Sequence, residues 1–133
     1  MSLFDALSLK VETPHRVLLL LPNGEEWKDA DGKQAYIDVL STDSDKNAEA
    51  SREISDRRMN GEEFSGEAEM RARLPFLTCG WYLLNFAGQM VSDTYSLEAA
   101  RDLYSGRARD FITRQVVAGA FNPSNFMPAP PSA

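Results

Sequence analysis

One histidine and one cysteine are all that the chain offers a nucleophilic or metal site. His15 follows Pro14 and has no serine or cysteine motif beside it, so it can complete neither a Ser-His-Asp triad nor a four-ligand zinc site. It is expected at the surface or at a strand edge. Cys79 lies between Thr78 and Gly80 in the most apolar segment, without a C-x-x-C partner or a neighbouring base. That setting suits a core cysteine, a small hydrophobe with a raised pKa. Asp29, Asp31, Asp43 and Asp45 have the look of a calcium loop, but counted from Asp29 the glycine arrives too early at Gly32 and position twelve is Leu40. Hairpin turns and a helix cap account for these acids without a metal. The pairs Glu25-Glu26 and Glu62-Glu63 sit in polar segments, without the burial that general acid catalysis needs. Neither G-x-x-x-x-G-K-[ST] nor G-x-G-x-x-G occurs. The expectation is a protein that is not an enzyme and carries no cofactor and no metal.

The 133 residues suit one domain, large enough to bury a core. With 43% hydrophobic and 26% charged residues, the composition is that of a globular protein. The longest uninterrupted apolar run, residues 17–21, is strand-sized and far from the roughly 20 residues of a membrane span. At the start, acidic Asp5 precedes the first base, Lys10, unlike a signal peptide. A single cysteine excludes an internal disulfide, and a cytosolic location is expected. The net charge of −6 is uneven: residues 1–70 hold 16 acidic and 8 basic side chains, residues 71–133 hold 4 and 6. A negative first half repels phosphate backbones and disfavours nucleic acid. A solvated helix face is the plainer origin of such asymmetry.

The elements that would position any site follow from periodicity. Residues 2–9 place Leu3, Ala6 and Leu7 on one face, with Ser2 as a possible cap: a short helix or a docking arm. Residues 17–21, 25–28 and 35–40 are predicted strands. Asn23-Gly24 provides a two-residue turn and 29–32 a second one, which together make a three-stranded antiparallel meander. A mostly charged helix over 44–59 carries only Ala48, Ala50, Ile54 and Met59 as apolar side chains and stops at Asn60-Gly61, so it should lie outside the core. Met70, Leu74, Leu77, Trp81 and Leu84 recur at helical spacing, with Phe76, Leu83 and Phe86 widening the face. They predict a core helix, kinked or restarted at Pro75. Residues 88–94 form a loop or short strand. Ser96 then caps a helix over 97–104, Ser105-Gly106 breaks it, and residues 107–120 form the last helix. The fold class is therefore α+β, an N-terminal three-stranded meander followed by about four helices, in one domain over 1–126 with a flexible tail over 127–133.

Abundant packing residues beside few catalytic ones point to protein binding. Trp27, Trp81, Tyr82, Tyr95, Tyr104, Phe111, Phe121 and Phe126 are of the types over-used as interface anchors. Most should fill the core and two or three should remain exposed. A capped apolar helix followed by an amphipathic one can also form a groove for a partner helix.

Two stretches carry a family resemblance: DADGKQAYIDVLSTDSDKNAEASREISDRR at 29–58, and Gly80-Trp81 through LEAARDLYSGRARDFITRQVVAGAFNPSNF at 97–126. A D-G turn, a strand and a charged helix, followed later by two short helices, resemble the small tail assembly chaperones of long-tailed siphophages and prophages, over roughly 70% of the chain. Residues 61–70 form a polar insert outside that pattern. The resemblance implies a non-catalytic protein of the host-cell cytoplasm that binds the tape-measure protein and is absent from the finished virion. It also implies that a frameshifted C-terminal extension, for which MPAPPSA is a plausible place, could recruit the major tail tube protein. On this reading an exposed apolar strip near Trp81, Tyr82, Leu103, Tyr104 and Phe111 covers tape-measure helices, and Arg101, Arg107, Arg109 and Arg114 form its polar rim. The alternative is a small structural tail or head–tail joining protein retained in the particle.

Overall fold

The computed structural model describes residues 3–128. Its elements are β1 (His15–Leu18), β2 (Tyr36–Val39), α1 (Asp45–Met59), α2 (Gly66–Leu77), β3 (Thr78–Leu84), β4 (Met90–Ser92), α3 (Leu97–Ser105) and α4 (Asp110–Ala120). The architecture is α+β, with a four-stranded antiparallel sheet in the order β1-β2-β3-β4. Within the described residues no helix is long and apolar enough to cross a membrane. The arm expected as a helix over 2–9 contracts to one 3-10 turn, Asp5–Leu7. Its proposed cap, Ser2, and the tail beyond Pro128 lie outside the described residues.

The three-stranded meander is replaced by a different pairing. β1 pairs directly with β2, His15 opposite Val39 and Leu18 opposite Tyr36. Residues 25–28 do not lie between them. They touch both neighbours through single bridges, Leu20 with Glu26 and Lys28 with Gln34. The reason is a closed triangle of backbone bonds: Leu19 N–H donates to Ala35 (2.9 Å), Ala35 N–H to Trp27 (2.8 Å), and Trp27 N–H to Leu19 (3.4 Å). All three residues are buried, so the segment satisfies its polar groups in a corner rather than a ladder.

Three hairpin loops share one construction. In 21–25, 29–33 and 85–89, the first residue exchanges backbone bonds with the fourth and fifth, and the fourth is Gly24, Gly32 or Gly88 with φ between +80° and +88°. This is a three-residue loop with glycine in the left-handed region. Asn23 has no positive φ, so the expected two-residue turn at Asn23-Gly24 does not form. Asp29 and Asn85 each cap their own loop, the side-chain oxygen accepting from two loop amides at 2.9 Å.

The long core helix expected through Leu84 ends at Leu77, two residues after Pro75, and continues as a strand. The misleading pattern comes from bulges. Opposite β2, Ile37 faces Trp81, Asp38 faces Gly80 and Val39 faces Thr78, so Cys79 is an extra residue. Thr78 and Trp81 therefore both point inward at a spacing of three. A second register shift, where Leu83 faces Ser92 and Leu84 faces Met90, falls just before Leu84, also buried. A strand with bulges has borrowed the spacing of a helix. Cys79 itself is exposed rather than in the core, pushed out by the bulge. Partial desolvation, then the Asp38 carboxylate, raises its thiol pKa.

One face of the sheet is covered by α2 and α4, and α1 and α3 pack on α2 from outside. As its composition suggested, α1 buries only Ala50 and Ile54, while Met59 is exposed. The closest approach is between α4 and β1. A methyl group built at Gly119 would lie 2.4 Å from Val17 Cγ2, closer than atoms can sit. One turn earlier Gln115 seals the sheet edge, accepting from Leu20 N–H (2.7 Å) and donating to Leu20 C=O (3.0 Å) as a strand would. Gly119→Ala should therefore destabilise the fold. Overpacking against a stiff β-branched side chain costs about 1–3 kcal/mol and outweighs the gain of up to about 1 kcal/mol in helix propensity. A lower urea midpoint at unchanged slope is expected; an unaltered midpoint would mean that α4 does not press on β1.

Candidate functional site

The eight residues expected to form a binding strip do not lie together. Trp81 is in the core at 4% exposure, its indole N–H donating to Ser92 Oγ (3.0 Å) and its ring edge-on to Tyr95. Tyr104 is 1% exposed, its hydroxyl 2.7 Å from that of Thr78. Neither ring can meet a partner at the surface. Tyr82 lies on the opposite, helix-free face of the sheet, beside Tyr36 and under the Lys33 ammonium. Arg101 faces α1, paired with Glu53 at 2.7 Å. Arg107 and Arg114 flank a polar cleft with Arg71, Glu67 and Asp110. The Asp110 carboxyl is held below the usual carboxylate range, chiefly by its hydrogen bond from Arg71. Only Leu103 and Phe111 share a surface feature.

That feature is an apolar groove of ≈ 360 Å³ between the β3–β4 hairpin, the Trp27 loop and the α3–α4 corner. Its floor is Trp27, buried, with the indole N–H donating to Asn85 C=O at 2.9 Å. Phe86 and Phe111 stack on the indole with ring centres at 5.5 and 5.8 Å, and lie 6.2 Å from each other. Leu83, Val91 and Leu103 complete the walls. Phe86 is 72% and Val91 64% exposed, so the apolar surface faces water instead of closing on itself. Arg109 is the only charged lining residue. Its guanidinium is fixed at the end of α3, donating to the carbonyls of Leu103 (3.0 Å) and Asp102 (2.7 Å), where a cation also complements the helix dipole. Gly106 makes room for it, since a methyl group there would sit 2.5 Å from Arg109 Nη2.

The groove has the chemistry of an anchor site, with aromatic walls and one fixed cation at the lip. Its central residue, Phe86, had been assigned to the core helix. The Asn85-x-x-Gly88 signature matches the Asp29-x-x-Gly32 turn and could have placed Phe86 in a loop. The eight named aromatics are all buried or half-buried, and the large exposed rings are Phe4 and Phe86 instead.

For the chemistry considered first, His15 opens edge strand β1, with its ring edge-on to Phe126. Among the described residues no group of three or more His, Cys, Asp or Glu side chains is arranged to hold a metal. Asp29 serves its hairpin loop and accepts a 2.5 Å hydrogen bond from the Tyr82 hydroxyl. No protein-family model, curated protein or solved structure matches the chain.

The Asp29–Tyr82 contact generates a titration. Tyr82 is pushed up to about 12, first by hydrogen bonding to Asp29, while Asp29 is lowered, first by the same bond. A raised phenol favours the fold fully below its ordinary value of 10, and the contribution is lost as pH rises through about 12. In Asp29→Asn the phenolate absorbance of Tyr82 should appear at lower pH than in the parent. Superimposable titrations would contradict the contact.

Proposed function

We propose that this chain is a tail assembly chaperone of a siphophage or prophage. In this reading it holds amphipathic helices of the tape-measure protein in the aromatic groove and keeps that client soluble while tail-tube subunits polymerise. The observation that carries the proposal is the exposed stack of Phe86 over Trp27 and Phe111, apolar surface kept open to water with one arginine at its lip. Such a surface suits the apolar face of a helix. No step of bond making is involved, and the acidic first half keeps the loaded complex dispersed in the host cytoplasm. The major tail tube protein would be met only through a C-terminal extension.

Magnitudes favour many weak contacts over one strong one. Burying two apolar client side chains yields about 3–6 kcal/mol. Association itself costs about 4–15 kcal/mol. A single groove therefore binds a single helix weakly. A long client with many similar faces, covered by many copies, overcomes that limit through repetition.

Co-expression with the tape-measure chain provides the test. The parent should hold the client in the soluble fraction. Phe86→Ser, which removes an exposed ring and spares the core, should weaken client binding about tenfold or more. Equal client solubility with and without this chain would reject the proposal. Recovery of the chain from purified virions would point instead to a structural tail or joining protein.

A further inference from the structure

The molecule exposes a second apolar feature, and it lies at the other end. Leu3 is 86%, Phe4 64% and Leu7 80% exposed on the arm around the Asp5–Leu7 turn. The arm leaves the fold where it is pinned twice: Lys10 N–H donates to Phe126 C=O (2.7 Å) and Val11 C=O accepts from Ser41 N–H (3.4 Å). Phe126 contacts His15, so this root sits at the start of β1. The groove sits beyond the other end of that strand, where Trp27 bonds Leu19. From His15 to Leu19 the strand alone spans about 13 Å. The three residues between the Lys10 anchor and Leu7 reach about 11 Å at full stretch. Leu7 therefore falls short of the groove of its own chain.

We infer that the arm of one copy docks in the groove of a second copy, so that the chaperone caps its own binding site until a client displaces the arm. The inference rests on the groove being a docking site for short apolar helical segments, as proposed above. The arm matches that site in kind: apolar side chains at helical spacing on a single turn that includes an acid, Asp5, set against a groove whose one charge is Arg109. Because root and groove lie at opposite ends, two copies side by side and antiparallel can exchange arms reciprocally, which closes the pair as a symmetric dimer. Each exchange would cover two exposed apolar patches at once. A client helix and a neighbour's arm then compete for the same rings, and assembly of the chaperone falls as client accumulates.

Light scattering coupled to size exclusion, over a wide concentration range, tests this with three forms of the full chain. They are the parent, Leu3→Ser/Leu7→Ser in the arm, and Phe86→Ser in the groove. All changed side chains are exposed, and circular dichroism verifies that each variant folds. The parent should exceed the mass of one chain at high concentration. Each variant alone should associate at least tenfold more weakly. Mixed together they should regain association, because one retains the grooves and the other the arms. A parent that stays monomeric, variants that associate like the parent, or a mixture that fails to recover would each overturn the inference. Client solubilisation separates the two claims. The arm variant should keep the client soluble at least as well as the parent, and the groove variant should not. If Phe86→Ser loses the client while self-association is unchanged, arm exchange falls and the groove reading stands. If arm exchange behaves as expected but the client is equally soluble without the chain, the chaperone reading falls and arm exchange stands.

Discussion

Leu19, Trp27 and Ala35 close a triangle in which each amide donates to the carbonyl of the next. Flat strands would pair in a ladder; this corner instead turns residues 20–34 out of the sheet while keeping three buried backbones satisfied. The orientation of Trp27 follows from it. With its backbone held in the corner and its indole N–H donated to Asn85, the ring lies flat as a floor on which Phe86 and Phe111 stack. The β3–β4 hairpin and the start of α4 thus meet over one indole. Without the triangle, the groove would have no base.

Arginine does a different job from the one its distribution suggests. All six basic residues after Met70 are arginines. As a rim around an apolar strip they would face a client, but the structure uses most of them between its own elements. Arg71 reaches from α2 to the Tyr104 carbonyl and Asp110. Arg73 joins α2 to Asn47 and Ser51 of α1, and Arg101 joins α3 to Glu53. Arg109 closes the end of α3. A planar fork with five donors suits such bridging, and the partly exposed pairs among them contribute little individually, about 0–1 kcal/mol each. Their effect is orientation: they hold helices with thin apolar stripes, α1 above all, at fixed places on α2.

Local signals were legible wherever a residue's role is set by its neighbours in the chain. Ser96 caps α3 by accepting from Ala99 N–H, Gly61 follows the end of α1 at φ +92°, and glycine closes the loops after Asn23 and Asp31. Pro75 was rightly taken as a disruption, although a strand rather than a helix follows two residues later. What stayed hidden depends on pairing between distant segments. The inserted residue Cys79 converts the alternation of β3 into a spacing of three, and nothing in residues 70–84 distinguishes that from a helix. The same error placed Phe86 in the core and Trp81 at the surface, where the structure has the reverse. A site built from a loop, a hairpin and a helix corner cannot be found by scanning one segment at a time.

Gly88 sits against the Trp27 loop so tightly that a methyl group would fall 2.9 Å from the Lys28 carbonyl oxygen. Two hairpins that touch at such range cannot swing independently, and neither can give way to admit an ill-fitting guest. The cavity is consequently preorganised: its walls lose little freedom when something enters, so most of the ordering cost falls on the incoming segment. A guest that is already helical before it arrives escapes most of that cost, which gives rigid helical chains an advantage over unstructured ones of identical apolar content.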